Sequence, residues 1–180
     1  MPRRVLDIKQ NTPEWLKARE GKATGSNAIV LLTDGIEAAI AKNSGNNFSN
    51  GNYWTARGHI LEDEAIELYE SINDTKVLRV GTVVNTTYER AQCSPDGEDE
   101  NIDAILEVKS LMPKNHLREI ENPSAKYVAQ VNFNAVICIR KKALLIYYCP
   151  DPEVPLLKKL VVLDVTNKRI QANIKSKLRD

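Results

Sequence analysis

The segment Ala104-Ile105-Leu106-Glu107-Val108-Lys109 reads as a β-strand, its last four residues alternating apolar and charged with a period of two. Side chains two apart on a strand point the same way, so Glu107 and Lys109 share one face while Leu106 and Val108 face a core. Taken alone, such a charged pair is the solvent side of a half-buried strand. Eleven residues before Glu107 stands Asp96, in Ser94-Pro95-Asp96-Gly97. That segment has the composition of a tight turn, with Ser at i, Pro at i+1, Asp at i+2 and Gly at i+3. Taken alone it is a turn and nothing more.

The two pieces together describe something more specific. An Asp at the end of one strand and a Glu on the next can share a hard cation, with the backbone carbonyl of Val108 as a third oxygen ligand. Oxygen ligands of this kind select magnesium or manganese over softer metals. Lys109 beside the cation can orient an attacking water or neutralise charge building on a phosphate. The spacing Asp-x10-Glu-x-Lys suits phosphodiester hydrolysis on adjacent strands.

The surrounding pattern mixes helices and strands. Thr12-Pro13-Glu14-Trp15 opens a helix, with Thr12 as N-cap and Pro13 first in the helix, running to about Glu20 and stopping at Gly21. A second helix is expected from Ser26. Asn43 to Asn52 is the one low-complexity segment and reads as a surface loop. A long helix follows from about Tyr53 to Ser71. Strands are expected near Val77–Val84, Tyr88–Cys93 and Ala104–Ser110, the last two joined by a turn-rich acidic link. Helical patterns return at Pro113–Glu121 and Ser124–Arg140, then strands at Leu144–Tyr148 and Lys159–Val165, and a last helix at Asn167–Leu178. This order predicts an α/β (α+β) core, a central mixed β-sheet flanked by helices. There is no internal repeat.

Two helices add candidates. Glu62, Ala65, Ile66 and Tyr69 fall at i, i+3, i+4 and i+7, one face of the long helix. Glu62 thus sits at the edge of a stripe expected to be buried, where a carboxylate needs a cation or an Arg beside it. Tyr127 and Gln130 lie three apart on a later helix. A core-facing Gln needs partners, and a nucleotide or a metal-bound water would supply them.

A chain of 180 residues suits one domain, taken here as residues 1–180, and can bury about 70% of its unfolded surface. Cys93, Cys138 and Cys149 are too few and too scattered for a disulfide framework or a zinc site, so an intracellular setting is expected. The start has no signal-peptide pattern, and the longest apolar run, Ala143 to Cys149, fits a buried strand, so no membrane is expected. Net charge is +1, which favours no partner, but its distribution is uneven. Five acids lie between Glu62 and Glu70 and six between Asp96 and Glu107, with no base in either stretch; these are 11 of the 24 acids. Two solvated faces would explain that. Acids gathered around metal, with a basic remainder meeting phosphate, are the more specific alternative.

The residues Arg57-Gly58, Leu61-Glu62 and Ala65, then Cys93-Ser94-Pro95-Asp96-Gly97, Leu106-Glu107-Val108-Lys109 and Tyr127-x-Ala129-Gln130-Val131 resemble the motifs of the lambda-type phage exonucleases. These are also called YqaJ-type viral recombination nucleases and belong to the PD-(D/E)XK superfamily. The stretch Glu14-Trp15-Leu16-Lys17-x-Arg19-x-Gly21-Lys22-x-Thr24-Gly25-Ser26 is similar to the same family's opening motif. The resemblance covers about residues 4 to 152.

It implies a restriction-endonuclease-like core and processive 5′→3′ digestion of double-stranded DNA ends in recombination, with magnesium, or manganese in its place, bound as a pair of ions. Asp96 and Glu107 would bind the metals, Lys109 would assist the nucleophile, and Glu62 would complete the site, with Gln130 matching the fourth motif. Arg19, Ser26 and Ser94 would hold the terminal 5′-phosphate, with Tyr127 among the DNA contacts. Arg suits bidentate contact with phosphate and Ser donates a hydroxyl. A homotrimer around DNA and a single-strand annealing protein are the partners implied. Three departures bear on the trimer and the pocket: a shorter segment between Ser26 and Glu62, an earlier end, and Gly25 where Ala is more usual. An endonuclease or nickase would use the same active site. A catalytically inactive DNA-binding protein would not need every one of Glu62, Asp96, Glu107, Lys109 and Gln130.

Overall fold

The computed structural model describes residues 2–8, 10, 12–44 and 53–180, with the backbone alone at 44 and 53–56. In chain order the elements are β1 (Arg3–Leu6), α1 (Pro13–Arg19), β2 (Ala23–Thr24), α2 (Ala28–Asp34), α3 (Ile36–Ser44), α4 (Tyr53–Asn73), β3 (Val77–Leu78) and β4 (Thr82–Asn85). Then come β5 (Ala91–Cys93), β6 (Gly97–Asp99), β7 (Ala104–Lys109), α5 (Pro113–Glu121), α6 (Ala125–Cys138), β8 (Lys142–Tyr148), β9 (Leu160–Asp164) and α7 (Lys168–Lys177). Single 3-10 turns lie at Gly25–Asn27 and Leu156–Lys158.

Local chemistry explains most of the boundaries. Thr12 caps α1 by accepting from the Trp15 amide, and Asn167 caps α7 by accepting from Ile170. Gly35, at φ +89, turns the chain from α2 into α3, a conformation that side chains other than hydrogen rarely take. At the end of α6, Ile139 adopts φ 57 and the Arg140 amide reaches back to the Ala135 carbonyl at 2.9 Å, closing the helix in a Schellman pattern.

The strands divide between two mixed sheets. One has the order β1-β4-β5-β2, and the other β3-β6-β7-β8-β9. In the second, β7 and β8 run parallel, with Leu106 opposite Leu144 and Val108 opposite Ile146, because α5 and α6 form the crossover between them. Helix α6 packs against strands of both sheets, β4 and β5 as well as β7 and β8. Its run from Val131 to Cys138 is accordingly buried all round. One core cluster surrounds α6 and takes Ile105, Leu145 and Tyr147 from the strands. A second takes Leu106, Val108, Leu144 and Ile146 from their other face and packs them on Ala65, Ile66 and Tyr69 of α4. Strands β7 and β8 are therefore buried on both faces, as parallel strands usually are. Each fully buried Leu or Ile here contributes about 1.5–3 kcal/mol.

The expected class, α and β in one core with mixed pairing, is what the protein adopts, and several elements differ in detail. Val77–Val84 is two short strands in different sheets, not one. The turn-rich acidic link contains strand β6, and Arg3–Leu6 and Ile36–Ser44 are further elements the periodicity did not single out. Ser94–Gly97 is a bend at Asp96 that carries the chain from one sheet to the other. The second helix begins at Ala28, with Ser26 in the 3-10 turn before it. Asn43 lies in the last turn of α3 and is buried, with its amide donating to the Lys22 carbonyl at 2.6 Å, so it belongs to no loop; positions 45–52 of that segment lie outside the described residues. Two of the six acids between Asp96 and Glu107 are also structural. Glu98 is fully buried between Arg3 and Arg140, each at 2.5 Å, and Asp99 accepts from Tyr69 Oη at 2.8 Å and Thr75 Oγ1 at 3.2 Å. Among the described residues no helix is long and apolar enough to cross a membrane.

Candidate active site

Strand β7 sets Ile105, Glu107 and Lys109 on the face toward α6, so Glu107 is a buried carboxylate, 4% exposed, and not a solvent-facing one. A buried charge is tolerable only when its lone pairs are met. Gln130 Nε2 donates to Glu107 Oε1 at 2.5 Å, Lys109 Nζ donates to the same oxygen at 2.8 Å, and Asn134 Nδ2 donates to Oε2 at 2.9 Å. Lys109 Nζ also donates to Gln130 Oε1 at 3.2 Å and stands 4.8 Å above the Tyr127 ring. Burial pulls the Lys109 pKa down, but the negative charges of Glu107 and Asp96 more than offset it, so the pKa is raised and Lys109 stays a cation.

Asp96 stands at the bend after β5, and its Oδ2 accepts the Val108 amide at 2.7 Å. Its carboxyl is pushed well above the ordinary Asp range by burial first, then by the charges of Glu107 and Glu62. Glu62, on the α4 face that carries Ala65, Ile66 and Tyr69, is raised too, chiefly by burial, with Arg79 opposing. Its compensating cation is Arg79, at 2.6 Å, which also reaches Asp63 at 2.9 Å. Glu62, Asp96, Glu107, Val108 and Lys109 line one cavity of about 380 Å³, together with Gln10 and His59. An adjoining cavity of about 500 Å³ is bounded by Glu62, Arg79, Pro95 and Asp96.

Among the described residues no three His, Cys, Asp or Glu side chains converge as a ready-made cation cage. The donor chemistry nevertheless fits a hard cation. Three carboxylates face one cavity, and the pKa values of Asp96 and Glu62 are raised in part by the charge of Glu107. A divalent ion relieves that repulsion.

The second group is built on α1. Residues 15 and 19 are one helical turn apart, and the Arg19 guanidinium stacks 4.2 Å over the Trp15 ring. Arg19 Nη2 donates to Ser26 Oγ at 3.0 Å and Thr24 Oγ1 at 3.2 Å. Trp15 Nε1 donates to Ser94 Oγ at 3.0 Å. Arg19, Ser26 and Ser94 thus form one connected set, with Trp15 as the link, and Ser94 lies two residues before Asp96. Burial lowers the Arg19 pKa.

Sequence reasoning did not name Arg79 or Asn134, and quoted Trp15 only within a motif. Asn134 had a signal, because it lies one helical turn beyond Gln130. Arg79 had only the requirement that something neutralise Glu62.

Comparison with known proteins bears on the fold and the family. The fold is similar to that of LHK-Exo in complex with dAMP, at 22% identity and a TM-score of 0.73, covering 93% of this chain and 89% of that one. The alkaline exonuclease LHK-Exo from Laribacter hongkongensis gives 21% identity and 0.75 over the same shares. A phage-related exonuclease from Haemophilus somnus gives 13% and 0.66, with 91% and 93% covered. At these identities the likeness shows the fold, which is restriction-endonuclease-like. No curated protein is similar enough in sequence to count as a match. The sequence does match the YqaJ-like viral recombinase domain over residues 14–138, well over half of its length, in agreement with the motifs, and the chain therefore belongs to that family.

Proposed function

We propose that the protein is a divalent-metal-dependent exonuclease that degrades double-stranded DNA 5′→3′ from its ends during viral DNA recombination. The observation that carries this reading is the single cavity lined by Glu62, Asp96, Glu107 and Lys109. Family membership and the exonuclease titles of the structural neighbours support it. Asp96, Glu107, the Val108 carbonyl and Glu62 would hold magnesium, with manganese able to substitute. Bound there, the metal would supply a hydroxide-like nucleophile at neutral pH and stabilise charge on the phosphate.

The remaining work falls to the chain's own side chains. Gln130 and Asn134 fix the Glu107 carboxylate from α6. Lys109, cationic and held between Glu107 and Gln130, places a positive charge where the phosphate becomes more negative. Tyr127 carries the Lys109 ammonium on its ring face. The set Arg19, Ser26 and Ser94 binds the terminal 5′-phosphate, which positions the adjacent phosphodiester at Asp96. A single-strand annealing protein would take the strand left behind, and a homotrimer would keep the enzyme on its track.

Asp96→Ala and Glu107→Ala decide the reading. Each should abolish digestion of linear duplex in magnesium while leaving DNA binding nearly unchanged, since loss of an essential electrostatic group costs on the order of 10² or more in rate. A variant that keeps about a tenth of the wild-type rate, far above that loss, would mean that the site is elsewhere.

A further inference from the structure

We propose that Asn134 is a positioning residue for the Glu107 carboxylate, and that position 25 is glycine because the Asn134 amide occupies the space a side chain there would need. The proposal rests on the reading of Glu107 as an active-site carboxylate. Asn134 follows Gln130 by one turn of α6, so the two amides project the same way. Gln130 and Lys109 hold Glu107 Oε1, while the Asn134 amide is the donor on Oε2. The carboxylate plane is therefore fixed from both ends.

Asn134 is 2% exposed, and its Oδ1 is buried with no hydrogen-bond partner among the described residues. A bare buried acceptor is unfavourable. Turning the amide over would not relieve it, because that would set Oδ1 against the Glu107 carboxylate and lose the donor. The amide is thus oriented for Glu107 at the expense of its own oxygen.

That oxygen lies against Gly25. A Cβ at position 25 would stand 2.3 Å from Asn134 Oδ1, 3.3 Å from Asn134 Cγ and 3.4 Å from Gln130 Cγ. The first distance is impossible for real atoms, and burial leaves the amide no open direction in which to swing. Gly25 has no positive φ, so its backbone is one that any residue could adopt, and space alone excludes a side chain. The turn Gly25–Asn27 carries Ser26, which receives Arg19, and it packs directly on α6. The candidate phosphate pocket and the two amides that hold Glu107 consequently share one wall.

The test combines Gly25→Ala, Asn134→Ser and the double variant, with Glu107→Ala as a control. Serine at 134 is too short to reach Glu107 but leaves room for a methyl group at 25. Gly25→Ala should lower Tm in the wild-type background. In the Asn134→Ser background it should leave Tm unchanged or raise it, because Gly→Ala at an ordinary backbone position restricts the unfolded chain. If Gly25→Ala shifts Tm equally in both backgrounds, the contact is not the reason for the glycine.

The positioning claim is read from kinetics and metal binding. Asn134→Ser should lower kcat on linear duplex about ten- to a hundredfold, as expected for losing a hydrogen bond to a charged group, with KM for DNA nearly constant. Its manganese affinity by calorimetry should fall as well. A kcat within about twofold of wild type, with unchanged manganese affinity, would reduce Asn134 to a packing residue. An active Glu107→Ala enzyme would sink the reading of the site itself, while the Tm cycle still decides the Gly25–Asn134 contact.

Discussion

At the scale of residues, the three carboxylates of the cavity differ in how they are compensated. Glu107 has Lys109 and two amides, and Glu62 has Arg79. Asp96 has the Val108 N–H at 2.7 Å and feels two negative neighbours, with burial the largest influence on its raised pKa. A carboxyl whose pKa is raised by folding destabilises the folded state once ionised. That penalty is absent where Asp is protonated both folded and unfolded. It grows as pH rises through the ordinary carboxylate range and is complete above the folded-state pKa. Asp96→Asn keeps an acceptor for Val108 and removes the charge. It should therefore raise Tm of the metal-free protein at neutral pH, by about 2–4 °C for each kcal/mol relieved in a chain of this size. The gain should vanish near about pH 3, below the usual Asp value. Adding magnesium should raise the wild-type Tm by mass action and leave the variant's nearly unchanged. A scanning calorimeter checks all three, and an Asn variant less stable than wild type at neutral pH would contradict this electrostatic account.

At the scale of elements, helices with caps and apolar faces were legible in the sequence, and short polar strands were not. Thr12 and Asn167 announce α1 and α7, and the helical pattern over Ser124–Arg140 announces α6. Strand β6, by contrast, is Gly97-Glu98-Asp99, which by composition belongs in a loop. It becomes a strand because Arg3 and Arg140 meet Glu98, while Tyr69 and Thr75 meet Asp99. Those partners lie 95, 42, 30 and 24 residues away, so no local pattern reports them. The same reason hid the partners in the candidate site. Asn134 and Glu107 are 27 apart, Arg79 and Glu62 are 17 apart, and Trp15 and Ser94 are 79 apart. Asp96, Glu107 and Lys109 were legible because strand periodicity and a fixed spacing carry them. The ion cluster that holds β6 gives a prediction of its own. Arg140→Ala should destabilise the protein by about 3 kcal/mol, the scale for stripping a partner from a buried charge, and urea denaturation measures it. Turnover by the folded fraction should be unaffected, since Arg140 does not line the cavity that holds Asp96 and Glu107. A loss under about 1 kcal/mol, the scale of an exposed pair, would mean that Arg3 alone satisfies Glu98.

At the scale of the whole molecule, the arrangement bears on which DNA the protein can use. An enzyme that acts at ends needs a feature that recognises an end, and a terminal phosphate differs from an internal one in its extra charge and free oxygens. Arg19 is suited to that difference. Its guanidinium is fixed by the Trp15 ring and by Thr24 and Ser26 rather than loose over the surface, so little freedom remains to be lost on binding. Trp15 ties the same group to Ser94, two residues from Asp96, so a phosphate held there would set the distance to the proposed cleavage site. A linear duplex with a 5′-phosphate should therefore be degraded faster than its 5′-hydroxyl form, and covalently closed circles should survive. A hydrogen bond between charged groups is worth about 1.5–3 kcal/mol, so Arg19→Ala should slow digestion of phosphorylated ends about ten- to a hundredfold. On 5′-hydroxyl ends, where the contact is missing already, the same change should cost much less. Rates on the two kinds of end, measured for wild type and variant at one salt concentration, give the comparison directly. Equal rates on both ends, or ready nicking of closed circles, would mean that the cavity cuts internal phosphodiesters and that Arg19 serves the fold of α1 instead.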